Sequence, residues 1–244
     1  MIGLWSVFRR ELMGYFSTPV AYVFIVVFLL VIGVLTFYVG NFIERGQADL
    51  QPFFIFHPWL YLIVIPALAM RLWAEERKLG TIEVLLTLPI NLTAIVIGKF
   101  LAAWCCIGFT LIMTFPIWLT VSYLGSPDHG VIVSSYLGSL LMAGSYLAIC
   151  ACLSATTKNQ VIAFVMSVAL CFAFTISGFP IVLDFLTQWI PGWLFETITM
   201  LNFSIRFNSF IQGVIEMQDV SFFVCMIVFW LFSNVIVVEL TKAS

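Results

Sequence analysis

The chain has 244 residues, of which 63% are hydrophobic and 9% charged, and its mean hydropathy is +1.14. Soluble domains use about 45 to 50% apolar residues, so this composition excludes a water-soluble globular protein and makes lipid the solvent. The net charge of −2 says little as a total; how the charges are distributed says more.

In lipid every backbone donor and acceptor must be satisfied within the chain, which leaves helices or closed barrels. Long apolar runs without period-2 alternation select helices. The expected fold is therefore an all-α integral membrane protein with six transmembrane helices in a single domain over 1–244. Residues 1–18 come first. Ile2, Trp5, Phe8, Leu12 and Phe16 recur every three or four positions while Ser6, Arg9, Arg10 and Glu11 fall on other faces. That pattern predicts an N-terminal amphipathic helix on the membrane surface, its arginines meeting anionic headgroups. It is not read as a cleaved signal, because no small-residue cleavage site follows and the next apolar run is long enough to span.

Six apolar windows approach or exceed the roughly 20 residues that cross a hydrocarbon core. They are 20–40, entered through Pro19; 53–73, with His57-Pro58 near its start and a kink expected at Pro66; 99–125; 131–155; 160–183; and 220–240. Gly125 to Gly130 forms a tight turn between the third and fourth. The stretch 184–218 is apolar, but Glu196, Arg206 and Glu216 cut it into pieces too short to span. After Pro191-Gly192, the helical spacing of Trp193, Leu194, Ile198, Leu201 and Ile205 suits short re-entrant or interfacial helices, or an amphipathic loop packed on the bundle.

Cytoplasmic loops retain basic residues. With the N-terminus inside, Arg9, Arg10, Arg71, Arg77, Lys78, Lys99, Lys158 and Lys242 face the cytoplasm and only Arg45 and Arg206 lie outside. Both termini are thus expected to be cytoplasmic. Lys99 and Glu239 are assigned to helix ends, where they reach interfacial water.

The loop 74–90 between the second and third spans gathers an unusual share of the charge: Glu75, Glu76, Arg77, Lys78 and Glu83. The second span can continue as a helical stem to a stop at Gly80. Thr81 can cap a new helix, with Glu83 in its first turn. Ile82, Leu85 and Leu86 form an apolar face before Pro89 ends it. Such a short helix can dock into a partner; a charge run that merely keeps a loop solvated is the alternative.

These residues resemble a family. Glu75 to Pro89, Glu-Glu-Arg-Lys-x-Gly-Thr-Ile-Glu-x-Leu-Leu-Thr-x-Pro, is similar to the cytoplasmic loop of type-2 ABC transporter permeases. The opening, Phe8-Arg-Arg-Glu-Leu through Tyr15-Phe16-Ser-Thr-Pro19, resembles the gliding-motility-type branch of small six-helix permeases. The resemblance implies an exporter-like permease in the cytoplasmic (inner) membrane of a bacterium. Its loop would be a coupling helix seated in a separate ATPase subunit, with Glu75, Glu76, Arg77, Lys78, Gly80, Thr81, Ile82, Glu83, Leu85, Leu86 and Pro89 as contact candidates. A second internal loop would supply a minor contact through Thr157, Lys158 and Asn159, or be a solvated turn. The family also implies outward half-crossing helices at 184–218 and a second permease copy or paralogue. ATP and magnesium would be held by the ATPase; membrane lipid is the other partner, and no nucleic acid is expected.

The chain itself lacks G-x-x-x-x-G-K-[ST] and H-E-x-x-H, so catalytic, cofactor-binding and metal residues are expected to be none. His57 and His129 are placed near the outer surface. The six cysteines fall in apolar runs and read as small buried hydrophobes. An ion-coupled secondary carrier is the rival function, opposed by spans without ionisable groups at mid-depth; a membrane scaffold for a cell-surface or motility assembly is another. Ser134, Ser135, Gly138, Ser139, Ala143, Gly144 and Ala148 in the fourth span suit close helix packing or a polar stripe facing substrate.

Overall fold

A computed structural model describes residues 2–42, 44–82, 90–179, 182 and 200–240, and every regular element among them is helical. Helix α1 spans Ile2–Ser17. The chain then turns at Thr18, whose hydroxyl donates to the carbonyls of Gly14 and Tyr15 (3.1 and 3.3 Å). Proline is tolerated in a first helical turn, where its missing N–H has no intrahelical use, and α2 begins there, at Pro19–Val34, prolonged by a π-helical turn over Leu35–Val39.

Three consecutive segments follow, α3 (Gln51–Phe54), α4 (His57–Ala69) and α5 (Arg71–Leu79). They make one 29-residue apolar helical path, Gln51–Leu79. Pro66 is accommodated inside α4, and the path is interrupted at Met70 instead. The next path, Leu92–Leu124, is 33 residues long and divides into α6 (Leu92–Ile112) and α7 (Phe115–Leu124). Pro116 explains that division: it offers no N–H to Ile112 and its ring crowds the preceding turn. Helix α8 (His129–Ser154) is capped by the Asp128 carboxylate, which accepts from Gly130 N at 2.8 Å. Helix α9 (Gln160–Ile176) is capped by Asn159. Helices α10 (Phe203–Ile211) and α11 (Met217–Leu240) complete the described chain.

Five stretches are long and apolar enough to cross a membrane: Ala21–Val39, Gln51–Leu79, Leu92–Leu124, His129–Ser154 and Met217–Leu240. The expected crossing at 160–183 is represented by α9, an apolar helix of 17 residues. Of the half-helices expected at 184–218, residues 184–199 lie outside the described residues, and α10 occupies part of the remainder.

Helix α8 is the centre of the bundle, packed against α4, α6, α9, α10 and α11. Its small residues permit that. Ser134 and Ser135 donate to the Phe210 carbonyl at 2.8 and 3.2 Å, and Ser145 donates to the Phe223 carbonyl at 3.2 Å. Gly138 lies against the Phe210 ring, so the stripe expected for close packing is buried inside the subunit. By contrast, α2 and α11 leave most of their apolar surface outward, as lipid-facing helices do.

Two expectations need correction. His57 is fully buried, not at the outer surface; its Nδ1–H donates to the Phe53 carbonyl at 3.0 Å within a cage of Phe28, Phe53, Phe54 and Tyr61 rings. That bond satisfies one ring nitrogen, while Nε2 is buried without a hydrogen-bond partner among the described residues. Lys99 does not reach interfacial water; it is 3% exposed, for reasons given next.

Candidate coupling site

Helix α5 is the stem expected from the sequence. Leu72, Trp73 and Ala74 are buried, Glu75, Glu76 and Arg77 are half-buried, and Lys78 and Leu79 are exposed. It stops at Gly80, whose φ of 72° is left-handed and whose N–H donates to the Glu76 carbonyl; a Cβ would be strained there. Thr81 donates its hydroxyl to the same carbonyl at 3.3 Å. Thr81 and Ile82 begin a new helical turn, with Ile82 packed on the core. Glu83, Leu85, Leu86 and Pro89 lie outside the described residues.

The interruption at Met70 leaves backbone groups that must find partners. A single hydroxyl supplies them. Ser154, at the end of α8, accepts from Trp73 N and Ala74 N (3.2 Å each) and donates to the Met70 carbonyl at 2.9 Å. Arg77 adds a hydrogen bond from its guanidinium to the Ala155 carbonyl. The stem is thus attached to the fourth span and to the short loop that follows. In that loop Thr157 is half-buried, while Lys158 and Asn159 are exposed. The Asn159 side chain accepts from Val161 N at 2.9 Å, so it is already engaged in capping α9.

A second attachment runs to the N-terminal helix. Lys99, in the second turn of α6, places Nζ 2.9 Å from Glu76 Oε1 and 3.3 Å from Glu11 Oε1. It also sits 5.3 Å from the centre of the Trp73 ring, a cation–π contact. Arg10 joins the cluster by donating to Glu11 Oε1 at 2.7 Å. Burial opposes ionisation of Glu11, but the ammonium of Lys99 and the guanidinium of Arg10 outweigh it and hold the carboxyl below its ordinary value. One buried cation therefore ties α1, α5 and α6 together. The neighbouring Gly98 allows the approach, since a Cβ there would meet Val7 Cγ1 at 2.9 Å.

On the outward side of α1, Trp5 is exposed and stacks on Phe8 at 5.3 Å, with Arg9 and Arg10 exposed beside them. The structure therefore brings the N-terminal helix, the stem and the loop at 156–159 to one end of the bundle. Glu11, Lys99 and Ser154 are the residues that sequence reasoning missed. A signal existed for the lysine: a cation seven residues into an apolar helix requires an acidic partner, and Glu11 and Glu76 are both assigned to its side of the membrane.

Long apolar helices around a buried central one define an α-helical transmembrane protein. The model of the ABC-2 family transporter proteins matches residues 21–238. The chain belongs to that family, which makes it a permease subunit of an ABC transporter, a membrane transport component. No curated protein matches it at a significant level.

Proposed function

We propose that this chain is the membrane half of an exporter-like transporter whose energy comes from ATP and magnesium bound in a separate ATPase subunit, and that the segment 74–90 is where the ATPase engages it. The observation that carries this reading is the double attachment of the stem, to α8 through Ser154 and to α1 and α6 through the Lys99 ion cluster. A merely solvated charged loop needs no buried anchors. A lever does, because displacement is passed on only through contacts that do not slip. Glu75, Lys78, Gly80 and Thr81 present the accessible part of the surface, while Ile82 is half-buried against the core at its edge. Glu83, Leu85, Leu86 and Pro89 would continue it, and Thr157 and Lys158 would add a minor contact. Glu76 and Arg77 serve chiefly to hold the stem.

In this reading 1–244 form one permease domain with both termini cytoplasmic, α9 as the core of a fifth crossing over 160–183, and external half-helices within 184–218. The protein pairs with a second copy or a paralogue in the inner membrane of a bacterium and belongs to the gliding-motility-type branch. Support comes from the basic residues collected at the stem's end of the bundle and from the sequence pattern of Glu75 to Pro89.

The test is a double reversal, E75R with K78E, which leaves the Lys99 cluster intact. In the complex recovered with its ATPase by affinity purification, stimulated hydrolysis should be lost while the permease still inserts and stays monodisperse. Hydrolysis equal to that of the unaltered complex would overturn the proposal.

A further inference from the structure

Two cavities meet on the flank formed by α1, α2, α4 and α5, and they differ in chemistry. The first, about 310 Å³, is polar, lined among others by Glu11, Arg71, Glu75, Glu76 and Lys99. The second, about 550 Å³, is an apolar groove between α2 and α4 whose wall includes Val23, Val27, Ile63 and Ala67. Thr18, Leu68 and Arg71 line both, so the groove opens directly into the polar cavity. The groove lies along two stretches long and apolar enough to span the membrane, and the polar cavity lies at the end where the charges collect.

We propose that this continuous site holds one zwitterionic glycerophospholipid with a primary-amine headgroup. An acyl chain would lie in the α2–α4 groove, with the phosphate on Arg71 and the ammonium on Glu75. Three observations select that occupant. First, among the described residues the Arg71 guanidinium has one ion pair, a loose 4.0 Å contact to Glu75 Oε2, which leaves its planar fork of donors open to phosphate. Second, Glu75, the other half of that loose pair, also lines the cavity with a side chain 44% exposed, so its carboxylate can accept from an ammonium. Third, Glu11 and Glu76 are paired with Lys99 and Arg10, which leaves Arg71 and Glu75 as a loosely held cation and anion on the cavity wall. One cation beside one anion matches a headgroup that carries both charges better than a purely anionic one. Arg71 stands where basic side chains at the end of a span meet headgroups.

The site touches the stem on one side and α1 on the other, so an occupant would bridge them. Its occupancy is independent of nucleotide and of any ATPase, and the experiment therefore separates this proposal from the one above. The full-length protein, stripped of lipid in detergent, is offered phosphatidylethanolamine or phosphatidylglycerol, and retained adducts are counted by native mass spectrometry without ATP. One phosphatidylethanolamine should be retained at least about fivefold better than phosphatidylglycerol, and Arg71→Ala should reduce that retention by about tenfold, the loss of one charge-assisted contact. Ala67→Trp, which fills the groove from its half-exposed rim, should reduce it similarly with the headgroup residues unaltered. Equal retention of the two lipids, or full retention in Ala67→Trp, would overturn the assignment and leave only annular lipid. If Arg71→Ala does not yield monodisperse protein, Ala67→Trp and Arg71→Lys carry the same decision, the lysine being expected to keep phosphate binding in part.

Discussion

Neutralising both carboxylates around Lys99, E11Q with E76Q, gives the most direct measure of the ion cluster. At an effective dielectric constant of about 20, charges at the observed 2.9 and 3.3 Å attract by about 6 and 5 kcal/mol. Most of that offsets the cost of taking the ions out of water. What remains visible is the penalty of stranding a cation that is 3% exposed, about 3 to 5 kcal/mol. For a chain of this length 1 kcal/mol corresponds to about 2 to 4 °C in Tm, so the double variant should melt about 6 to 20 °C lower. Lys99→Met provides the contrast. It removes the cation and leaves carboxylates whose side chains are 18% and 20% exposed and can regain water, so its loss should be clearly smaller. Fluorescence-detected size exclusion after heating reads all three proteins in detergent. If the double variant melts within about 2 °C of the wild type, the cluster does not hold α1 to the bundle and the argument from geometry is wrong.

Acid should act on the same cluster. Because the folded-state value of Glu11 lies below the ordinary 4.5, its contribution is complete above that pH and is lost as pH falls through the depressed value; the Tm gap between wild type and E11Q should therefore be constant near neutrality and close below pH 4.5. Ser154→Ala removes the hydroxyl that serves the Met70, Trp73 and Ala74 backbone, and leaving these unsatisfied should cost about 1 to 3 kcal/mol, seen as faster hydrogen exchange of α5; unchanged exchange would exclude Ser154 as the anchor. Gly98→Val places methyl groups where Val7 already sits, an overpacking cost of about 1 to 3 kcal/mol, and should expose α1 to protease while the spans remain protected.

Much of this architecture was legible because its signals are local. The stop at Gly80 needs only one glycine and its φ, and the turn at 125–130 only its Gly, Pro and Asp. Helical periodicity placed α1, and apolar run length found the five helical stretches long enough to cross a membrane, though the second and third extend six or seven residues beyond the expected bounds. What escaped was long-range or compensatory. Lys99 read as a snorkelling residue because its partners are 88 and 23 positions away, a pairing that one-dimensional pattern does not contain. His57 read as interfacial because the aromatic rings that enclose it, Phe28, Phe53, Phe54 and Tyr61, come together only once the helices are packed. Pro66 drew attention as the site of a kink, yet the discontinuity sits at Met70, where Ser154 from a distant segment can accept the freed amides.

That placement has a mechanical corollary. With the helix of the second crossing interrupted at Met70 and the gap bridged by an oxygen from α8, a load applied to Arg71–Leu79 does not run straight up its own axis. It crosses sideways into the most enclosed member of the bundle, and through it reaches α10 and α11 on the far side. Breaking the α5–α8 link with Ser154→Ala should therefore weaken the proposed coupling, whereas stiffening the Met70 joint alone should change little.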